Sequence, residues 1–487
     1  MDTSVFRDTL DNLLKAWQGI AGGTRDNERP PAVAPHLPED DAKRVRKLIR
    51  TCLEARGGEV SSRRRAAALG QMYLTLDDEG RRRFLELLAR DFAVDRKEVR
   101  QAALELRGAD GEEECLAAEE KLREILISPR LRLLKQFNAL PQGIKFLVDL
   151  RADLLRHIGG DPVLKSLDTE LQNLLATWFD VGFLELRHIT WDSPAALLEK
   201  LIAYEAVHEI HSWQDLRNRL ESDRRCYAFF HPGMPDEPLI FVEVALVSGI
   251  SDSIQTLLDE SIPEMNPLRA DTAIFYSISN TQKGLLGISF GHFLIKRVAD
   301  DLSHEFPNIQ TFATLSPIPG FGTWLAGVLG GESQDELTEG MRAAIKACAD
   351  RLQTPPLFEE ILTVNEWWRD EEAAALLREP LERLCARYFH AVRGDGAPLD
   401  PVERFHLGNG ARIERLNWLG DTSEKGMRQS CGLMVNYLYR LEDIEKNHER
   451  YATERRIASA APIKELLKEP PRDNGRKGRF PKIFSAD

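Results

Sequence analysis

The chain has few cysteines for its length, six in 487 residues, and no two of them stand in a C-x-x-C pair. That absence argues against a zinc knuckle and against a dense disulfide scaffold, and it suits a reducing cytoplasm. Long apolar runs are also missing. The best, residues 239–250, is interrupted by Glu243 and falls short of the roughly 18 to 20 residues that span a bilayer. Positive charge is not in excess: 65 Lys plus Arg stand against 78 Asp plus Glu, a net −13. A broad surface for a phosphate backbone is therefore not expected, although a local basic pocket for one anion is compatible with this balance. The N-terminal segment carries Asp2, Asp8 and Asp11 among its apolar residues, unlike a secretory signal or an Arg-rich transit peptide. His208 and His211 stand at i and i+3, read here as helical, but no third ligand accompanies them and no H-E-x-x-H occurs. No metal site is expected.

What is present is an ordinary globular composition, 43% hydrophobic and 29% charged, long enough for two to four domains. After an amphipathic opening (Phe6, Leu10, Leu13, Leu14, Trp17), residues 19–41 read as a Gly- and Pro-rich linker ending in a Pro-Glu-Asp-Asp helix start. From there to Phe179 the spacing is helical throughout: Leu85, Leu88 and Phe92; Leu131, Leu134 and Phe137; Leu164, Leu167, Leu171 and Leu174. Two arginine triplets, 63–65 and 81–83, have acidic neighbours in sequence and are expected to form solvated, paired helix faces. Beyond residue 180, β-branched and aromatic runs predict strands at 226–231, 239–246, 272–279, 285–290 and 309–315. The first two, and the next two, read as hairpins. A helix with the stripe Leu294, Val298 and Leu302 then crosses over to the last strand. The fold class is α+β: an all-helical N-terminal domain followed by a mixed, mostly antiparallel sheet. Helices resume past Trp324, residues 405–439 are ambiguous between helix and strand, and the basic tail, 471–487, reads as disordered.

Three features carry candidate chemistry. Residues 284–292, Gly-Leu-Leu-Gly-Ile-Ser-Phe-Gly-His, lie where a strand meets a helix. Gly287-Ile288-Ser289-Phe290-Gly291 formally matches the G-x-S-x-G nucleophile elbow. The same turn offers free N–H groups to a phosphate at a helix N-terminus, and a third reading is tight packing alone. Antiparallel strands before it disfavour the elbow, so anion binding leads the functional readings. Second, Ser316 follows a strand and precedes Pro317, which holds it extended, while Pro319-Gly320 turns the chain away. Third, His406 lies one turn before Asn409-Gly410. Taken alone, Ser316 reads as a turn residue and His406 as a structural histidine.

Together these runs resemble one family. Residues 273–279, 284–291, 293–298 and 315–321, Phe405-His406-Leu407 with Asn409-Gly410-Ala411, and 430–434 with Asn436-Tyr437 resemble malonyl-CoA decarboxylases, in order, over about residues 120–455. The resemblance implies a helical domain, residues 1–177, that serves self-association into a dimer or tetramer. It also implies a catalytic domain, residues 178–487, similar to the Gcn5-related acetyltransferases. The implied reaction turns malonyl-CoA into acetyl-CoA and carbon dioxide without a cofactor. It implies CoA contacts at Leu286, Gly287, Ile288, Ser289, Phe290, Gly291 and His292, catalytic roles for Ser316 and His406, and an active-site role for Tyr439. Ser289 stands where animal members have Glu, and Pro232 where they have a cysteine, so neither an acidic role there nor an interchain disulfide carries over. A bacterial-type cytoplasmic enzyme is the resulting expectation, acting without nucleic acid or membrane. The competing function is a CoA-dependent acyltransferase; a Ser289 thioesterase and a non-catalytic CoA-binding protein stand further off.

Overall fold

A computed structural model describes residues 17, 20, 32–54, 58–288, 294–330, 337–364 and 366–468. Trp17 and Ile20 are the described members of the opening segment, and the basic tail lies outside the described residues. After the helical Trp17 and Ile20, the described residues form α1 (Glu39–Leu53), α2 (Gly58–Leu74), α3 (Asp78–Asp91), α4 (Arg96–Gly108), α5 (Glu112–Ile125), α6 (Pro129–Phe137), α7 (Gly143–His157) and α8 (Pro162–Trp178). Their starts follow local chemistry. The side chains of Asp77, Asp95, Ser128 and Asp161 accept hydrogen bonds from first-turn N–H groups, and Pro129 and Pro162 occupy the first helical position. The acidic run at Glu39, Asp40 and Asp41 does begin a helix, where negative charge is favoured by the dipole. Phe92, Leu134, Phe137, Leu164, Leu167, Leu171 and Leu174 are buried as the periodicity required. Trp17 is fully buried, its indole N–H donating to the Pro141 carbonyl at 2.8 Å and its ring against Phe137 and Phe146. The second arginine triplet is paired: Arg81 with Asp153, Arg82 with Glu79 and Glu86, Arg83 with Glu79.

The chain forms two compact units that are not two consecutive stretches. One comprises Met1–Leu220, Cys226–Val242 and Ile278–Leu294; the other comprises Glu221–Arg225, Glu243–Ser277 and Ile295–Asp487. In the first, β1 (Glu185–Ile189) pairs antiparallel with β2 (Arg224–His231), which neighbours the early part of β3 (Met234–Val247). Helices α9 (Ala195–Tyr204) and α10 (Trp213–Asn218) cover them, with Leu198, Leu201 and Leu216 against Ala228, Phe230 and Phe241.

In the second unit the strand order is β3, β4 (Thr272–Asn280), β5 (Thr311–Thr314), β8 (Met434–Tyr439) and β6 (Ser316–Pro317), with β7 (Arg412–Asn417) also on β8. α11 (Ile254–Leu257) is a single turn beside this sheet. β4 and β5 are parallel, and α12 (Leu294–Glu305) is the crossover between them, with Val298 and Leu302 fully buried. β8 is antiparallel to β5, β6 and β7. A mixed sheet with one crossover helix is thus present. Helices α13 (Phe321–Gly330), α14 (Glu339–Leu352), α15 (Phe358–Thr363) and α16 (Glu371–His390) follow. The ambiguous stretch 405–439 holds both classes: the end of α17 (Pro401–Gly408), β7, α18 (Glu424–Ser430) and β8. The described chain closes with α19 (Ile444–Glu454) and α20 (Ala461–Leu467).

Three expectations are corrected. Residues 285–288 are not a strand: Lys283–Leu285 is a 3-10 turn, so no hairpin joins this stretch to β4. Buried apolar residues held by neighbouring helices gave the same run of Leu and Ile that a strand would. The connection after β2 is shorter than expected, because β3 begins at Met234 and leaves Pro232-Gly233 between the strands. His208 and His211 are not helical; they lie in irregular chain before α10.

Candidate active site

Strand periodicity builds the centre of the site. Thr314 and Ser316 are two apart where β5 passes into β6, and Tyr437 and Tyr439 are two apart on β8, so each pair shares a face. Register brings the pairs together, with Phe312 opposite Tyr439 and Ser316 opposite Val435. The Tyr437 N–H donates to Thr314 Oγ1 at 3.1 Å. The expected role of Pro317 is met in a particular way: Ser316-Pro317 is itself the short strand β6, since proline excludes the helical conformation at the residue before it.

His406 comes from α17. Asp400 caps this helix, accepting from the Val402 and Glu403 N–H groups at 2.8 and 3.0 Å, and Pro401 takes the first helical position. Tyr388 on α16 donates its hydroxyl to the other Asp400 oxygen at 3.1 Å. The helix ends at Asn409, and Gly410 turns with φ +82°, which favours glycine. A Cβ at Gly410 would stand 2.2 Å from the Ile444 carbonyl oxygen.

Three elements thus converge. Ser316 Oγ lies 3.2 Å from His406 Nε2 and donates to Thr314 Oγ1 at 2.8 Å. His406 Nδ1 lies 2.8 Å from the Tyr439 hydroxyl, and the Tyr437 ring stacks on the imidazole at 4.4 Å with 23° between planes. Ser316, His406 and Tyr439 are all buried. Burial holds His406 neutral, lowering its pKa from 6.5 to about 3, and keeps the Tyr439 phenol protonated by raising its pKa well above 10.0. A serine whose hydroxyl is in contact with a neutral imidazole, itself held by a neutral phenol, can pass a proton without holding a buried charge at rest.

The surrounding polar groups were given no role from sequence, although Asn436-Tyr437 is one of the runs that carry the resemblance. Asn436 is fully buried; its amide donates to the Thr314 carbonyl at 2.7 Å and accepts from Arg415 and Asn417, both at 2.9 Å. This ties β5, β7 and β8 together beside Ser316. Thr314 reads as an ordinary residue of the strand predicted at 309–315, and Tyr437 falls in the stretch left ambiguous between helix and strand. Only pairing across strands distinguishes them.

The other expected residues fall in the first unit or outside the described chain. Arg151, almost fully buried on α7, donates to the Gly284 and Leu286 carbonyls, both at 2.8 Å, and pairs with Asp168 at 2.8 Å. Gln172 on α8 donates to the Gly287 carbonyl at 2.9 Å. Gly284 sits so close to α7 that a Cβ would stand 1.8 Å from the Val148 carbonyl oxygen. Leu286 is exposed, Gly287 has φ +77°, and Ile288 is buried. Ser289, Phe290, Gly291 and His292 lie outside the described residues. Arg151, Asp168 and Gln172 read in the sequence as unremarkable helix polar residues.

Comparison with known proteins gives this site its context. The model of the malonyl-CoA decarboxylase C-terminal domain matches residues 182–477, and that of the N-terminal domain matches 92–179. The chain belongs to the malonyl-CoA decarboxylase family. A mitochondrial malonyl-CoA decarboxylase from Anser anser anser is 41% identical over 417 residues, covering 82% of each chain. Among solved structures, malonyl-CoA decarboxylase from Rhodopseudomonas palustris is 44% identical with TM-score 0.79, covering 87% of this chain and 99% of its own. The one from Agrobacterium vitis is 41% identical with TM-score 0.79, covering 88% and 100%. No described helix is long and apolar enough to cross a membrane.

Proposed function

We propose that this chain converts malonyl-CoA to acetyl-CoA and carbon dioxide. The observation that carries this reading is the buried array Tyr439, His406, Ser316 and Thr314 in a chain of this family. Cleavage of the bond between the α-carbon and the carboxylate releases carbon dioxide and sends its electron pair into the thioester, giving an enolate. The α-carbon then takes a proton. The thioester is the electron sink, so the reaction is assigned no cofactor and no metal. Ser316 Oγ–H delivers the proton and takes one from His406 Nε2, while Nδ1 takes the Tyr439 proton; as product leaves, a solvent proton enters at Ser316 and the same relay runs in reverse to restore the tyrosine. The same hydroxyl hydrogen-bonds the malonyl carboxylate before cleavage. Burial favours this step, because the substrate carboxylate loses hydration as its charge moves toward the thioester oxygen.

The finer assignments belong to the same proposal. Residues 178–487 act as an acetyltransferase-like catalytic domain, a reading supported by the parallel β4 and β5 joined by α12. Residues 1–177 serve self-association as a dimer or tetramer. The CoA pyrophosphate is assigned to residues 286–292, which precede α12 in the chain, a reading supported by the left-handed Gly287 and the carbonyls fixed by Arg151. The protein is taken as a cytoplasmic, bacterial-type member. Mass spectrometry of products from malonyl-CoA tests the reading: acetyl-CoA with carbon dioxide is expected. Free CoA with malonate, or an acylated amine when amines are supplied, would overturn it. Ser316→Ala and His406→Ala are expected to abolish most of the activity.

A further inference from the structure

Helix α19, helix α20 and the segment before α20 bring several cations to one place. Lys446, Arg450, Arg456 and Lys464 line an open cleft of about 290 Å³ with Arg412, and among the described residues no acidic side chain pairs with any of the first four. Arg412 is paired with Glu414 at 2.7 Å, and Asp443 also lines the cleft. Lys446 and Arg450 are four apart on one helix face, where like charges repel. The segment carrying Arg456 is fixed against β7, since the Ile413 N–H donates to the Ala458 carbonyl at 2.9 Å and the Ala460 N–H to the Ile413 carbonyl at 2.8 Å. Cations are thus gathered by the fold in a chain of net charge −13, an arrangement that an anion would stabilise.

The position of the cleft says which anion. Its wall α19 is tied to the first turn of α12 by Lys296 and Glu445 at 3.1 Å. Asn447, which lines the cleft, donates to the Gly410 carbonyl at 3.2 Å, and His448 contacts the Gly408 carbonyl at 2.7 Å, at the end of the helix that bears His406. The cleft therefore adjoins both the crossover helix and the His406 helix. We propose that it binds the ribose 3′-phosphate of the CoA moiety, a phosphate monoester dianion, with Lys446, Arg450, Arg456 and Lys464 as its cations. This rests on the function proposed above and deepens it. Arginine forks match phosphate oxygens in pairs, and two lysines add unspecific charge.

Steady-state kinetics with malonyl-CoA and malonyl-3′-dephospho-CoA test the proposal on the wild-type chain, where folding is not in question. Loss of the 3′-phosphate is expected to raise KM by about 10- to 100-fold, from charge-assisted hydrogen bonds of a few kcal/mol. Lys446→Gln with Arg450→Gln is expected to raise KM for malonyl-CoA toward that of the dephospho substrate, so that the preference between them falls toward one. Adenosine 3′,5′-bisphosphate is expected to compete with malonyl-CoA, and inorganic phosphate at equal concentration is not. Equal KM values in the wild type, an undiminished preference in the variant, or equal competition by inorganic phosphate would each overturn the assignment. Calorimetric binding of adenosine 3′,5′-bisphosphate to wild type and variant reports on the cleft even if malonyl-CoA is not decarboxylated, so the two readings fail separately.

Discussion

Replacing Tyr439 by Phe removes one oxygen and little else. The hydroxyl lost lies 2.8 Å from His406 Nδ1, and both residues are buried, so water does not readily replace it. Leaving a buried polar atom unpaired costs about 1 to 3 kcal/mol. In the proposed relay the tyrosine proton moves to Nδ1 as Nε2 gives its own to Ser316, so the loss falls on the transition state. At a factor of ten per 1.36 kcal/mol, kcat is expected to fall by about 5- to 150-fold. The hydroxyl is not assigned a contact with substrate, so KM is expected to change by less than about twofold. Carbon dioxide release under saturating and limiting malonyl-CoA separates these parameters, and circular dichroism of the variant checks that the fold is retained. A Tyr439→Phe variant that is folded and keeps kcat within twofold of the wild type would refute the claim that this phenol arms His406.

The pH behaviour follows from the same burial. Because the pKa of His406 is lowered from 6.5 to about 3, the unfolded chain binds a proton there that the folded chain does not. Its contribution to stability is therefore complete above 6.5 and is lost as pH falls toward 3, by about 1.4 kcal/mol per pH unit across that window. Denaturant titrations of wild type and His406→Gln between pH 4 and 7 should converge as pH falls, and kcat/KM should show no histidine limb near pH 6.5. Glu403 is buried on α17 with neither carboxylate oxygen hydrogen-bonded, and burial raises its pKa well above 4.5. Glu403→Leu is thus expected to stabilise by about 1 to 3 kcal/mol, more at pH 8 than at pH 4, because ionisation of the unfolded chain's Glu403 opposes folding as pH rises; thermal melts at the two pH values measure it. Gly410→Ala meets the Ile444 carbonyl at 2.2 Å in a left-handed turn. It is expected to destabilise by about 2 kcal/mol or more and to lower kcat by shifting α17, read from melting and from carbon dioxide release.

Much of the architecture was legible because it is written in local patterns. Apolar spacing and capping residues specify α3, α6 and α8 almost without reference to the rest of the chain. The stripe through Val298 and Leu302 specified the crossover between β4 and β5 for the same reason. The strand expected at 285–290 is absent over the described residues 285–288 because Leu285 and Ile288 are buried by non-local contacts in a turn whose carbonyls Arg151 and Gln172 hold. Burial looks alike in a short apolar run whatever its backbone.

The candidate site divides along the same line. Sequence by itself determined the helical region, the mixed-sheet region, the rigid extended setting of Ser316 and, through a string of short runs, the family. Tertiary structure alone decided that Ser316 and His406, 90 residues apart, lie 3.2 Å from each other, that Tyr439 and Tyr437 hold the imidazole from its edge and its face, and that burial keeps it neutral. The physical reason is one of range. Propensity, periodicity and capping act over a few residues and are carried by the chain itself, whereas strand register and desolvation depend on segments that meet only after folding.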